Sequence, residues 1–500
     1  MRYCRVAFWP IPHSSKRMGL GMTSVLVEGE TCWKIADADR VTVIVDAAAF
    51  FQHARSAMLK AERSIFMIGW DFDSRIDLVP GQAEDEAPEK LGSFLNWLAK
   101  RRDDLDVRIL KWDIGLINSI TRGETPFYIL RWLFSKRVQL KLDSAHPPLS
   151  AHHMKLLVID DRIAFCGGID MTVGRWDTRE HLENDKRRRS PLGFSQGPWH
   201  DVTSCISGDA AAALGQLART RWELATEEKL DAVTVSSDPW PDALDVDFRD
   251  ISVAIARTLP EFDKQQQISE IEAAKLAIIA STKTCLYIES QYFASRKIAE
   301  AIAARLQEAD GPEIILINPE GAEGWLEAKA MDSARIRLMK LVRDADHHNR
   351  FRLMYPVNDK RTPIYVHAKV MISDNRLIKI GSANLNNRSM GYDTECDIII
   401  EARPDQDILA AKIIEHRDGL IAEHLGCDPK DLHRQIEKHG SVIRAIDVLN
   451  QEKGRGLVDV PMRDLTADEE LFAESDIADP ERPSSVKERV TRRFKRRRAG

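Results

Sequence analysis

HHMKLLVIDDRIAFCGGID occupies residues 152–170, and VHAKVMISDNRLIKIGSAN occupies residues 366–384. Laid over each other without a gap, the segments match His153 with His367, Lys155 with Lys369, Asp160 with Asp374, Gly167 with Gly381 and Asp170 with Asn384, each pair 214 positions apart. The similarity extends upstream, where SIFMIGWDF (64–72) and CLYIESQYF (285–293) each follow an Ala-rich helical pattern. A repeat of this length reads as two copies of one α/β unit. Within each copy, Lys155–Ile159 and Ile163–Cys166, or Lys369–Ile372 and Leu377–Ile380, are short apolar runs around a polar turn, the pattern of two strands and a hairpin. His and Lys at i and i+2 project from the same face of a strand.

Boundaries follow from composition around the copies. An N-terminal extension covers 1–22, the first half 23–235 and the second half 236–425. A helical and acidic segment with a basic tail covers 426–500. The joint between the halves is the acidic stretch from Ala225 to Asp250, broken by Asp238-Pro239-Trp240-Pro241. The expected fold is two homologous α/β/α sandwich halves packed as a pseudo-twofold pair, with one active site at their interface.

The 500 residues are 43% hydrophobic and 30% charged, which excludes fibrous and largely disordered classes. Apolar stretches such as Val41–Phe51 fall short of the roughly 18 residues a membrane span needs. Met1–Arg17 has too short an apolar run for a secretory h-region, so no Sec signal is expected. Seven cysteines without a C-x-x-C pair argue against a disulfide framework and against a structural zinc site, and suit a reducing compartment. These features place the protein in the cytoplasm or peripherally on a membrane, with export by a non-Sec route as an effector left open. The net charge of −6 conceals eight Lys/Arg in the twelve positions from Lys487 to Arg498. That run is read either as a solvated tail or as an anchor to anionic lipid.

Two His and two Lys suit a phosphodiester. The ammonium groups neutralise the non-bridging oxygens as phosphorus becomes five-coordinate. One neutral imidazole attacks phosphorus to form a phosphohistidine, while the other, protonated, protonates the leaving alkoxide. Neither a metal nor another cofactor is called for, because the lysines supply the positive charge. Each imidazole needs a carboxylate on its far nitrogen. Glu395 lies 28 residues after His367; the equally spaced position in the first copy is His181, so Asp201 in PWHD takes that place. Asp160 and Asp374 complete the His–Lys–Asp set, although their turn positions also suit bonding to backbone. Ser382 and Asn384 stand beside His367 as donors to a phosphate oxygen.

The chain resembles the phospholipase D superfamily, whose members carry two H-x-K-x-x-x-x-D motifs. HHMKLLVID, AFCGGIDMTVGRWDT, PWHDV, IESQYF, IYVHAKVMI and IGSANLNNRSMGYDTE resemble, in order, blocks of its eukaryotic-type branch over roughly residues 25 to 425. The resemblance implies His153 as nucleophile and His367 as general acid; the repeat alone leaves the two interchangeable. It also implies phosphate binding by Lys155, Lys369, Ser382 and Asn384, and orientation of the histidines by Asp201 and Glu395. The implied reaction is hydrolysis of a glycerophospholipid to phosphatidic acid and its head-group alcohol, with transfer to another alcohol as a variant. Trp70, Trp176, Trp199 and Tyr292 are candidate walls for the head group. Expected partners are a phospholipid surface and a water or alcohol acceptor, with no nucleic acid and no need for a second copy of the chain. A cardiolipin synthase-type phosphatidyltransferase is the alternative; a nuclease, or a lipid-binding adaptor without catalysis, ranks below it.

Overall fold

The 214-residue offset reappears in the backbone. In the computed structural model of the chain, strand β5 (Leu156–Ile159) maps onto β15 (Val370–Ser373), and β6 (Ile163–Gly167) onto β16 (Leu377–Gly381), at that one spacing. The structure describes residues 24–81, 85–113, 132, 137–323 and 325–466. The N-terminal extension and the basic tail read from sequence lie outside the described residues.

The other strands of the first half are β1 (Lys34–Val45), β2 (Ser64–Gly69), β3 (Asp106–Trp112), β4 (Val138–Asp143), β7 (Trp199–His200) and β8 (Val202–Ser207). Those of the second are β9 (Phe248–Leu259), β10 (Ile268–Ser269), β11 (Cys285–Glu289), β12 (Glu313–Ile317), β13 (Phe351–Val357), β14 (Tyr365–Val366), β17 (Glu395–Glu401) and β18 (Gly456–Asp459). All except β7 and β14 belong to one sheet. Its order outward from the centre is β1-β8-β6-β5-β2-β3-β4 on one side and β9-β17-β16-β15-β11-β12-β13 on the other, a pseudo-twofold arrangement of matching strands. The halves join through β1 and β9, antiparallel from Lys34↔Ile255 to Val41↔Phe248. Both halves are thus one mixed α/β sheet rather than two sheets in contact.

Sequence pattern explains the layers. β11 and β12, CLYIE and EIILI, are apolar almost throughout, as strands covered on both faces must be. Their parallel neighbours are reached through crossover helices: Leu91–Arg101 between β2 and β3, Arg296–Gln307 between β11 and β12, and Trp325–Ala345 between β12 and β13. One core face is shared by both halves and includes Trp222 on helix Asp209–Thr226 and Ile413 on helix Asp407–Leu425. The opposite face holds two separate cores, one per half. The acidic part of the 426–500 segment, for which no strand is expected from sequence, adds edge strand β18 antiparallel to β13. Alternation in GLVD is too short to show periodicity, so tertiary pairing supplied what the pattern lacked.

Candidate active site

Each histidine motif is anchored by the other half. Val366, immediately before His367, pairs in parallel with His200, immediately before Asp201. His152, immediately before His153, pairs in parallel with Thr394, immediately before Glu395. The His367 amide donates to the His200 carbonyl at 2.8 Å, and the His153 amide to the Thr394 carbonyl at 2.9 Å. These matched ladders bring the imidazoles together, with ring centroids 6.4 Å apart and planes tilted by 58°.

The same ladders decide the carboxylate partners. His153 Nδ1 lies 3.0 Å from both oxygens of Glu395, and His367 Nδ1 lies 2.7 Å from Asp201 Oδ2. The pairing is crossed between halves, which corrects the within-copy assignment expected from spacing. Each bond fixes the Nδ1 side and leaves Nε2 as the nitrogen available to a substrate. Glu395 is further held by the hydroxyls of Ser382 at 2.5 Å and Ser389 at 2.7 Å. Gly168 has no room for a side chain, since a Cβ there would sit 2.1 Å from Asp201 Oδ1.

Charge in the site is concentrated and mostly buried. Lys155 Nζ donates to the His153 carbonyl at 2.7 Å and pairs with Asp170 at 3.1 Å; Lys369 Nζ donates to the His367 carbonyl. Burial, reinforced by Lys155 and Lys369, holds the His153 imidazole well below its usual pKa. Burial and then Lys369 do the same to His367. Burial brings Lys369 down to about 7 and lifts Glu395 to about 7 and Asp201 to about 6. A site so arranged favours an anion: a phosphodiester entering beside Lys369 favours its charged form and raises the pKa of the adjacent imidazoles.

Several expected site residues act otherwise. Asp160 accepts the backbone amides of Glu62, Arg63 and Ser64 at 2.7–2.8 Å. Asp374 accepts those of Lys283, Thr284 and Cys285 at 2.8–3.0 Å. Five residues along an extended chain from the lysine, roughly 16 Å, both stand at the far end of their strands and knit a turn to the neighbouring strand, so their catalytic assignment is corrected to a structural one. Asp374→Ala is expected to cost about 3 kcal/mol by denaturant unfolding, while kcat of the folded protein stays within about threefold. A collapse of kcat at unchanged stability would restore a direct role.

Ser382 is likewise not a free phosphate donor, because its one hydroxyl proton goes to Glu395. Asn384 stays at the site: its Nδ2 donates to Gln291 at 3.4 Å and its Oδ1 is buried without a hydrogen-bond partner. Trp176 turns away from the histidines and packs on the first half's core under the Arg187 guanidinium. The preceding residue, Arg175, takes the place expected of it: its guanidinium lies 4.0 Å from the Trp199 ring centroid, and that ring lies 5.3 Å from His367. In an extended segment, adjacent side chains point to opposite sides, so a one-residue slip exchanges wall for core. Trp70 is half-buried and stacks on Trp112 at 6.0 Å, its amide held by Asp170 at 3.0 Å. Tyr292 is buried against Ala294 and Met331, and its neighbour Gln291 links its hydroxyl to that of Tyr365. Arg175, Asp170 and Gln291 were missed as site residues; the Asp170–Asn384 match in the repeat was the only signal for any of them.

Residues 57–299 match the family model described as Phospholipase D, and residues 276–417 match that described as Cardiolipin synthase, PLD-like domain. The chain is 25% identical over 473 residues to Phospholipase D A of Dictyostelium discoideum, a match covering 78% of this chain and 36% of that protein. It is 25% identical over 373 residues to Cardiolipin synthase of Clostridium perfringens, covering 72% of this chain and 66% of that one. The chain thus spans about a third of the length of the Dictyostelium relative. The crystal structure of phosphatidylserine synthase of Haemophilus influenzae superposes with a TM-score of 0.52 at 12% identity, over 83% of this chain and 96% of that one, which is likeness of fold. With two matching models that together run from residue 57 to 417, the chain belongs to the phospholipase D superfamily.

Proposed function

We propose that this protein cleaves the distal phosphodiester of a glycerophospholipid, releasing the head-group alcohol and leaving phosphatidic acid. The observation that carries this reading is the crossed constellation: two neighbouring imidazoles, each with Nδ1 on a carboxylate from the opposite half, and two lysines whose ammonium groups sit on the carbonyls of those same histidines. His153 Nε2 attacks phosphorus; as the N–P bond forms, the bond to the head-group oxygen breaks and His367 delivers a proton to that oxygen. Neutral His367 then takes a proton from water, which attacks phosphorus, breaks the N–P bond and releases His153 and the product. Lys155 and Lys369 stabilise the charge on the equatorial oxygens in both steps. An alcohol in place of water yields a phosphatidyl-alcohol.

A lipid substrate is favoured by the loop that leads into Trp199. Its tip exposes Leu192 and Phe194, 69% and 66% accessible, beside exposed Lys186 and Arg189. Apolar side chains flanked by cations suit insertion into an anionic lipid surface. No helix among the described residues is long and apolar enough to cross a membrane, so this contact is peripheral. The double variant Leu192→Asp, Phe194→Asp is expected to lose about tenfold or more in vesicle binding and vesicle turnover, with cleavage of a monomeric short-chain substrate unchanged. Equal vesicle binding by both proteins would remove the loop from the account.

The match of residues 276–417 to a model described by cardiolipin synthase supports a second reading, in which the acceptor is another lipid's glycerol. Incubation with phosphatidylcholine, phosphatidylethanolamine, phosphatidylglycerol, single-stranded DNA and ethanol, followed by mass spectrometry, separates the two. Phosphatidic acid and phosphatidylethanol support the hydrolase; cardiolipin made from phosphatidylglycerol supports the transferase. Nucleotide release with intact lipids overturns both.

A further inference from the structure

A second group of titratable side chains lies between the halves, behind Asp201, and takes no part in the reaction proposed above. His181, His200, Asp46 and Glu423 are all buried. His181 Nε2 lies 3.1 Å from Glu423 Oε1 and 3.6 Å from Asp46 Oδ2. His200 Nδ1 lies 3.1 Å from Glu423 Oε1 and 3.3 Å from Asp46 Oδ1. One ligand atom from each of the four falls within 4.8 Å of all the others. A tetrahedral zinc ion, with bonds of about 2.0–2.1 Å to nitrogen and oxygen, separates its ligand atoms by about 3.3–3.4 Å. With Asp46 Oδ2 as its ligand atom, three separations in the cluster, 3.1, 3.1 and 3.6 Å, lie close to that spacing.

Hydrogen bonds alone could produce similar distances, and two observations point to a cation instead. The outer nitrogen of each imidazole meets its own carboxylate: His181 Nδ1 is 3.0 Å from Asp177 Oδ2, and His200 Nε2 is 2.9 Å from Glu289 Oε2. A carboxylate on the outer nitrogen is the arrangement of metal-bound histidines, in which that nitrogen carries the N–H and the inner one presents its lone pair to the ion. Inside the cluster, Asp46 Oδ2 is buried without a hydrogen-bond partner, its nearest ion-pair contact being His181 Nε2 at 3.6 Å. An unmatched carboxylate oxygen in a dry interior is costly, and a cation removes the cost. Glu423 keeps its inner oxygen for the cluster because its outer one is held by Arg179 Nε.

We propose that Asp46, His181, His200 and Glu423 form a closed four-coordinate site for a divalent transition-metal ion, zinc by its ligand set, which ties the two halves together behind the active site. Two imidazoles rule against calcium and magnesium, which take oxygen ligands in greater number. Full burial leaves no open position for substrate, so the ion is structural. Three ligands come from the first half and Glu423 from helix Asp407–Leu425 of the second. The Asp46 amide donates to the Asp201 carbonyl at 2.8 Å, and the Asp201 amide donates to Asp46 Oδ1 at 3.1 Å. Asp46 and His200 thereby hold, from both sides, the residue on which His367 rests. The sequence argument against zinc considered cysteines alone; these ligands lie at positions 46, 181, 200 and 423, with no local spacing to reveal them.

The test uses the full chain, purified without a polyhistidine tag or chelator after growth with added zinc. Elemental analysis is expected to find about one zinc ion per chain, and X-ray absorption at the zinc edge to show nitrogen and oxygen neighbours with imidazole scattering and no sulfur. Stripping with dipicolinate should lower the midpoint of thermal unfolding, and ZnCl2 should restore it. His181→Gln and Glu423→Gln, if folded by circular dichroism, should hold more than about tenfold less zinc. Should either variant fail to fold, the wild-type absorption spectrum and the zinc-dependent midpoint still decide. Sulfur ligands, retention of zinc by the folded variants, or a wild-type protein without zinc whose midpoint ZnCl2 does not move would each overturn the proposal. None of these readouts depends on which phosphodiester is cleaved, so the site can fail without the catalytic reading failing, and the reverse.

Discussion

His153→Ala is expected to lower turnover of every phosphodiester by at least about 10⁴-fold, because it removes the atom that bonds to phosphorus. His367→Ala is expected to cost as much with a natural head group but to behave differently with a p-nitrophenyl phosphodiester. That leaving group departs without a proton, so the first step proceeds while the second, which needs His367 as base, stalls. Stopped-flow absorbance should therefore show one equivalent of p-nitrophenol per active site from His367→Ala and none from His153→Ala. A burst from His153→Ala, or from neither protein, would contradict the assignment. The repeat makes the two histidines equivalent in sequence, and a kinetic asymmetry of this kind distinguishes them.

The second large effect follows from the crossed carboxylates. Glu395 contacts His153 and Asp201 contacts His367, each across the pseudo-twofold axis. Removing the charge while keeping the shape, by Glu395→Gln or Asp201→Asn, should lower kcat by about 10²–10⁴-fold through loss of tautomer and orientation. With the p-nitrophenyl substrate the two should separate. Asp201→Asn keeps its burst, because His367 is not needed for departure, whereas Glu395→Gln loses it. Pairing within each copy predicts the reverse, so this one comparison tests the exchange of partners between halves. Circular dichroism confirms folding, which both variants should retain since the ladders at Val366–His200 and His152–Thr394 are made by backbone.

How much of this was readable beforehand depends on the range of the information. The hairpins β5–β6 and β15–β16 were legible to within a residue because apolar runs and polar turns are local. The two-half fold was legible because the repeat is long and without gaps. The exchange of Glu395 and Asp201 was not, because spacing along one copy says nothing about the side of a symmetry axis on which a strand end emerges. Asp160 and Asp374 share the motif's spacing with His and Lys, yet at one residue every 3.3 Å or so the strand carries them away from the phosphate site. Trp176 and Arg175 differ by a single step in an extended segment, and composition favoured the aromatic residue where the structure places the cation. The buried group at Asp46, His181, His200 and Glu423 gathers from four distant segments, and a single sequence holds no trace of that convergence.

The most direct test of the central claim, a covalent intermediate on one histidine served by the other, is to trap it. His367→Ala, mixed with the p-nitrophenyl substrate, quenched at alkaline pH and digested, should yield a peptide in which His153 carries the substrate's phosphoryl group. A modified residue other than His153, or wild-type turnover in which rapid quench finds no adduct and the configuration at phosphorus inverts, would contradict the account.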